Sequence, residues 1–543
     1  MSQPERRLVA WFLYVAMLAL SIGATLGPFQ ALEHAGINLY PYLAPFIRSY
    51  YQGLSIHGVF NVLVWTTFFI SGFLTFATMS GLKHPLYSLK LGWITFWIMI
   101  AGIGLTGWAL FSDNATVMFT SYPPLKAHPA YYLGLTLVVV GTWLVSANIF
   151  LTYRAWRRDH PTERTPLATF GALATFVMWD IASLGIAAEF LTLLIPASFG
   201  ITQGTDPLLA RAFFWFTGHP IVYFWLLPAY VSWYAMVPKQ AGGKLFSDPL
   251  ARLALVLFIP FSIPVGLHHQ FTDPGISEAW KMVHAALTFV VFFPSALTAF
   301  TLLASLENAG RARGGRGWFG WFFKLRWDDP AVAAQVLAML LFAAGGVSGI
   351  INASYDLNLM VHNTAWVPGH FHLTVGSGVT LTFMGISYWL IPYLTGRKLW
   401  SRRVALWQAW TWFAGMLLLG RGLHWLGLLG APRRTMLGAA AYRALNPEWG
   451  LPSLLVGVGG GILAVSLYLY LVEMAATIWF SREPADIEVP EAEAVSGPEH
   501  APFLLERWRV WIGAAVVLTA IGYVPTVVQL LAHFNPVASL RVW

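Results

Sequence analysis

"VPGHFHLTVGS", residues 367–377, places two histidines one residue apart in an otherwise apolar run. Two residues apart on an α-helix means about 200° of rotation, so His370 and His372 face opposite sides of whatever helix carries them. They cannot easily serve one metal. Each can serve a different one, with Phe371 between them. Whether a membrane-grade segment would carry such a pair depends on what the rest of the chain is.

The chain has 543 residues, 57% hydrophobic and 10% charged, against about a quarter charged in a typical soluble domain. That much apolar surface implies an all-α integral membrane protein with many spans. There is no cysteine, which excludes disulfides, iron–sulfur clusters, covalently attached haem and thiolate copper or zinc sites. The start, "MSQPERR", followed at once by a long apolar run, reads as a retained first helix and not as a cleaved signal. A net charge of +8 could suggest nucleic acid, but its distribution points to membrane orientation instead, and no nucleic-acid partner is expected.

About thirteen runs are long enough to span a bilayer. Spans 1 to 13 are predicted at 8–30, 54–80, 91–112, 130–153, 166–196, 207–236, 249–272, 280–306, 331–353, 366–394, 404–430, 452–480 and 506–532. Basic loops follow alternate spans: "RAWRRDHPTER" (154–164), "PKQAGGK" (238–244), "RARGGRGWFGWFFKLR" (311–326) and "GRKLWSRR" (396–403). "PERR" (4–7) precedes span 1 on the same side. That side should be cytoplasmic, which places the chain as a multi-pass protein of the cytoplasmic (inner) membrane. Arg433 and Arg434, in "GAPRRT" (430–435), break the rule by falling on the outer side. "SREPADIEVPEAEAVSGPEH" (481–500) reads as an acidic solvated linker before the last span. No internal repeat or soluble domain is evident, so residues 1–543 are expected to form a single transmembrane domain.

Histidines carry the chemistry. An ionisable residue inside the membrane is a functional candidate by default, and neutral imidazole is a common metal and haem ligand. Span direction gives depth. His57 starts span 2, His370 and His372 start span 10, His219 lies under halfway down span 6, and His268 and His269 end span 7. All six sit in the outer half of the membrane, so distant positions reach one layer, as a buried cofactor site requires. In that layer the opposed His370 and His372 suit two haems flanking one helix. His284 is also intramembrane.

In "WFTGHPIVYFWLLPAYVSWY" (215–234), His219 and Tyr223 are i and i+4 and can touch. Pro220 loosens the helix there. Tyr223, Tyr230 and Tyr234 form one stripe toward the cytoplasmic side. "VGLHHQF" (265–271) supplies His268 and His269, and with His219 makes three imidazoles with an open position, a set that suits copper or zinc.

"GHPIVYFW", "GLHHQF" and "HNTAWVPGHFH", in that order on those spans, resemble subunit I of the haem–copper oxygen reductases. The likeness covers nearly the whole chain. It is nearest to the B family, cytochrome c oxidases with only a tyrosine-lined proton route. The resemblance implies roles. His57, in "GLSIHGVFN", and His372 would be the axial ligands of a low-spin haem of b type. His370 would hold a high-spin haem of a type, and His219, His268 and His269 the facing copper, copper B. Phe371 would lie between the haems. Tyr223 matches the tyrosine crosslinked in the family to the histidine four residues earlier, a donor of an electron and a proton. Tyr223, Tyr230, Tyr234, Ser295, Thr298 and Thr301 match the proton channel. Arg433, Arg434 and His362 match contacts to haem propionates.

The implied activity is four-electron reduction of O2 to water coupled to proton translocation. The implied partners are a subunit II with a dinuclear copper centre, cytochrome c as donor, and a small single-helix subunit. Two departures stand out. Ile221 occupies the position after the "HP" proline where some families have a glutamate, so protons are expected to use the tyrosine route alone. Asn358 stands four residues before His362, where an acid is expected, with Asp356 nearby. Asp180, mid-span, is expected to be structural or solvated. Nitric oxide reductase and quinol oxidase are the alternatives within the superfamily, and Tyr223 argues against the first. A secondary transporter with a histidine relay is the alternative from another class. It would show inverted repeats and interrupted helices.

Overall fold

The computed structural model describes every residue from Met1 to Trp543 except Pro45. Ten helices among the described residues are long and apolar enough to cross a membrane. They are Gln3–His34, Tyr50–Leu82, Leu89–Phe111, Pro129–Asp159, Leu167–Ser198, Glu278–Ala312, Pro330–Ala353, Trp366–Thr395, Pro447–Phe480 and Trp508–Ala532. These are predicted spans 1–5, 8–10, 12 and 13.

The other three predicted spans are also helical but are broken or less apolar. Span 6 divides into Pro207–Gly218 and Pro220–Ala235, with His219 at the joint. Pro220 has no N–H to continue the ladder. Span 7 is a helix only over Asp248–Phe261, and its end unwinds into a 3-10 turn over Gly266–Gln270. Span 11 runs Arg402–Leu428 but carries charged and polar residues throughout. Two of the three exceptions thus break where a candidate ligand sits.

With no hydrophobic force between helices in lipid, small residues and close van der Waals contact bring them together. Gly102 of span 3 and Gly134 of span 4 meet so closely that a Cβ on either would lie 2.6 or 2.5 Å from the other's carbonyl oxygen. Aromatic faces stack across the core, with Phe69 on Phe383 at 4.2 Å and Trp179 on Phe224 at 4.3 Å between ring centroids. π-helical turns follow both His57 (Val59–Trp65) and His372 (Thr374–Val379). Such turns re-aim side chains and often mark functional sites.

Three two-stranded pairs tie the loops. Leu125 and Lys126 pair in parallel with Leu540 and Arg541, and Gly204 and Thr205 pair antiparallel with Ala538 and Val537. The C-terminal tail therefore stitches two loops at one end of the bundle. At the opposite end of the bundle Leu245–Ser247 pairs in parallel with Ala494–Ser496 of the acidic linker. Nearby, Arg252, 1% exposed, binds Asp248, Glu506 and the Thr165 carbonyl, and Glu506 also binds Arg157. This network satisfies a cation that burial would otherwise make costly.

Candidate metal centres

His219, His268 and His269 come together: one ring nitrogen from each lies within 4.8 Å of the others. His219 Nδ1 is 3.1 Å from His269 Nε2. Two imidazoles on one tetrahedral ion, with bonds of about 2.0 Å, would sit about 3.3 Å apart. The broken helix at His219 and the 3-10 turn at His268 and His269 make this convergence possible. Adjacent residues on a regular helix would splay about 100° apart.

Each histidine is aimed by a second contact. His268 Nδ1 donates to Thr288 Oγ1 (2.8 Å), whose own proton goes to the His284 carbonyl (2.6 Å). That leaves His268 Nε2 free. The His269 ring lies flat on Trp215, 3.7 Å away at 7°. His284 accepts from the Leu267 N–H (3.2 Å) and donates to the Gly522 carbonyl (3.0 Å). It therefore pins the turn that carries the pair and is a positioning residue. Tyr223 Oη stands 3.2 Å from His219 Nε2, the i to i+4 contact expected.

The same rule holds on the other centres. His57 Nδ1 donates to the Gly23 carbonyl (2.9 Å), His372 Nδ1 to the Pro368 carbonyl (2.7 Å) and His370 Nδ1 to the Gly345 carbonyl (2.9 Å). A carbonyl only accepts, so each of these rings carries its proton on Nδ1 and presents a bare Nε2. The His57 and His372 rings are 6.4 Å apart with planes within 16°. That spacing accommodates one iron between two imidazoles at metal–nitrogen bonds of about 2 Å each. His370 lies on the opposite face of its helix, against Gly349 of span 9. The two rings thus point to opposite sides of the helix, one toward His57 and one toward span 9.

One cavity of about 920 Å³ is lined by all six of these histidines, with Tyr223, Phe371, His362 and Arg433–Arg434 also on its wall. This lies near the top of the usual range for small-molecule sites, about 300–1,000 Å³. Its outer end is cationic. Arg433 binds Asn363 Oδ1 (2.7 Å) and Arg434 binds Thr120 Oγ1 (3.2 Å), and neither has a carboxylate partner among the described residues. Burial, and then the neighbouring Arg434, push Arg433 down to about 9. A bound anion would offset that cost, so the donor set fits a haem bearing propionates. His362 Nδ1 binds Asn358 Oδ1 (2.8 Å), and its Nε2 is buried without a partner among the described residues. Asn358 thus keeps the contact that an acid would have made, without the charge. Burial, then Arg433 and Arg211, push His362 down to about 4.

Further along the tyrosine stripe, Tyr234 Oη donates to Thr298 Oγ1 (2.6 Å). The Tyr230 hydroxyl, buried and without a partner among the described residues, faces Ser295 and Thr298. Thr301, a turn further on, spends its hydroxyl on the Leu297 carbonyl of its own helix (2.8 Å). Asp180 Oδ2 accepts from Ser146 (2.6 Å), while its Oδ1 is buried without a partner among the described residues. Sequence reasoning missed Thr288, Trp215 and Ser348, whose Oγ is 3.1 Å from His370 Nδ1. Thr288 alone left a signal, being one turn after His284. The other two act across helices.

A family model described as "Cytochrome C and Quinol oxidase polypeptide I" matches residues 7–462. Cytochrome c oxidase subunit 1 of Thermus thermophilus is 46% identical over 99% of this chain and 97% of its own length. Cytochrome c oxidase polypeptide 1 of Halobacterium salinarum is 27% identical over 81% of this chain and 74% of its own. A haem–copper terminal oxidase dimer solved by cryo-electron microscopy superposes with a TM-score of 0.94 at 38% identity, covering 100% of this chain and 96% of that one. By the matched family model and by full-length identity, this chain belongs to the cytochrome c and quinol oxidase polypeptide I family, subunit I of the haem–copper oxidases.

Proposed function

We propose that this terminal oxidase subunit takes electrons from cytochrome c through a partner subunit II with a dinuclear copper centre. It reduces O2 to water in the cytoplasmic membrane and moves protons outward as it does so. The observation that carries the reading is the convergence of His219, His268 and His269 beside Tyr223, in one cavity with His370. Haem and copper, when bound, supply reversible electron storage and the oxygen-binding position. A low-spin haem of b type would sit between His57 and His372, a high-spin haem of a type on His370, and copper on the histidine triple. A small single-helix subunit completes the assembly expected from the resemblance.

The chain's own residues hold and move protons. His57, His268, His370 and His372 each keep a proton on Nδ1, so Nε2 stays a base toward the cavity. At His219 the phenol of Tyr223 stands against Nε2 and can give up its proton and an electron at the site of O–O cleavage. Tyr234, Thr298, Ser295 and Tyr230 offer a line of hydroxyls from the cytoplasmic side toward Tyr223. Ile221 offers no proton-carrying group, so this line serves all protons. Arg433, Arg434 and His362 anchor anionic groups at the outer end. Phe371, between the two opposed histidines, supports a short electron path from one haem to the other.

The test is an optical spectrum of the purified complex, reduced and then exposed to carbon monoxide, with metal analysis. Two haems, one binding carbon monoxide, together with copper are expected. Iron above haem stoichiometry without copper would overturn the reading in favour of nitric oxide reduction.

A further inference from the structure

The segment that carries the arginine pair is clamped from two sides. Its first half is held by residues that follow His362. The Ala365 N–H donates to the Ala431 carbonyl (2.8 Å), and the Arg433 N–H donates to the Asn363 carbonyl (2.9 Å). Its second half is held from the end of span 1, by a residue that none of the roles above uses. Glu33 is 0% exposed, and its Oε1 accepts from the Gly438 N–H (2.8 Å). The approach is so close that a Cβ at Gly438 would lie 2.0 Å from the Glu33 carbonyl oxygen. Buried Tyr50 adds a second tie, its Oη donating to the Thr435 carbonyl (3.3 Å).

The same end of span 1 also aims a candidate axial ligand. The Gly23 carbonyl accepts from His57 Nδ1 (2.9 Å), and a Cβ at Gly27 would lie 3.1 Å from His57 Cε1. Gly27 and Glu33 belong to one helix, Gly27–His34, with about 9 Å of rise between them. Arg434 stands on this side. Its guanidinium lies over the Phe119 ring at 5.4 Å, and Phe119 packs on Gly58, the residue after His57, where a Cβ would meet Phe119 Cδ1 at 3.2 Å. Arg433 stands on the other side, on Asn363. Gln30, His34, Tyr50 and Arg434 line the cavity together with His57 and His372.

We infer that Glu33 is a positioning residue for the low-spin haem: it fixes Arg434 relative to His57, with one short helix as the common reference. The inference rests on the proposed ligand set. A cation held beside a haem favours the electron that the haem gains, so a correctly placed Arg434 raises its reduction potential. Glu33 does this as the acceptor for one N–H and not through its charge. Its Oε2 has no hydrogen-bond partner among the described residues, and the neighbouring His34 Nδ1, 3.9 Å away, gives its proton to the Gln30 carbonyl (2.9 Å). An uncharged acceptor of the same shape therefore serves equally, and a side chain with no acceptor releases residues 434–438. Arg433 keeps its ties to Asn363, so the high-spin haem is unaffected.

The experiment is a redox titration of the intact complex, followed optically at both haems. In Glu33→Ala the equilibrium constant for reducing the low-spin haem should fall about fivefold, the worth of one hydrogen bond, or about 40 mV for a one-electron couple. The potential of the high-spin haem and its carbon monoxide binding should stay at wild-type values. Glu33→Gln keeps the acceptor without the charge and should titrate as wild type. A wild-type low-spin potential in Glu33→Ala overturns the proposal. So does an equal shift at both haems, or a shift in Glu33→Gln as large as that in Glu33→Ala. Should Glu33→Ala not assemble, Tyr50→Phe removes only the hydroxyl on Thr435 and should shift the low-spin haem about twofold in the same direction; no shift there overturns the proposal equally. Two haem spectra and carbon monoxide binding in the wild-type complex report on the oxidase reading separately.

Discussion

Two regions of the molecule handle buried polarity in opposite ways. In one, Arg252, Asp248, Glu506, Arg157 and Thr165 satisfy one another in a closed network. In the other, around the cavity, the histidines present bare nitrogens, Arg433 and Arg434 have no acid among the described residues, and the His362 Nε2 is unpartnered among them. Leaving a buried polar group unmade costs about 1–3 kcal/mol. Where charges close on one another nothing more is needed, and where several polar groups stay open around one cavity something else completes them. The closed network is structure, and the open one is a site.

Substitutions can break or sharpen this contrast. The largest effects should come from the open region. His372→Ala should abolish the low-spin haem signal in the visible spectrum, and its retention would refute the ligand assignment. Tyr223→Phe should keep both haem spectra but slow oxygen consumption by about 10²–10⁴-fold, the usual worth of a positioned proton donor. Full turnover would remove that residue from the chemistry. Arg252→Ala probes the closed network. It should cost about 3–5 kcal/mol of stability by stranding the buried Asp248 carboxylate, while Glu506 keeps Arg157, read as earlier thermal unfolding, with unchanged haem spectra in the protein that survives. A spectral change there would blur the division between the two regions. Thr288→Val removes only the partner of His268 Nδ1 and should weaken copper binding about 10–100-fold, measured as copper retained against a chelator. Smallest is Thr298→Ala, which frees Tyr234. One neutral hydrogen bond, about 1 kcal/mol, corresponds to a slowing of proton uptake of about fivefold, seen in flow-flash kinetics.

Much of this was legible in the primary structure. Hydropathy predicted thirteen helical segments, and all are helical. Alternating basic loops supplied an orientation, and orientation put six histidines at one depth. The spacing of His370 and His372 predicted two centres, and the rings do part company, one toward His57 and one toward span 9. Hydropathy failed to show where helices stop being regular. Span 6 breaks at His219 because Pro220 lacks an N–H, and span 7 tightens to a 3-10 turn held by His284 and Tyr523, residues from two other spans.

The sequence by itself determined the membrane class, the layer of histidines and, through its motifs, the family. Local rules suffice for these, because periodicity, charge placement and residue spacing act within one segment. Only the tertiary structure decided which nitrogen three of these histidines offer, since that depends on a carbonyl or hydroxyl from elsewhere: Gly23 for His57, Gly345 for His370, Thr288 for His268. It also decided which polar groups are left open. Whether a buried acid such as Glu33 is paired is a property of its neighbours in space, and nothing in its own stretch of chain records it.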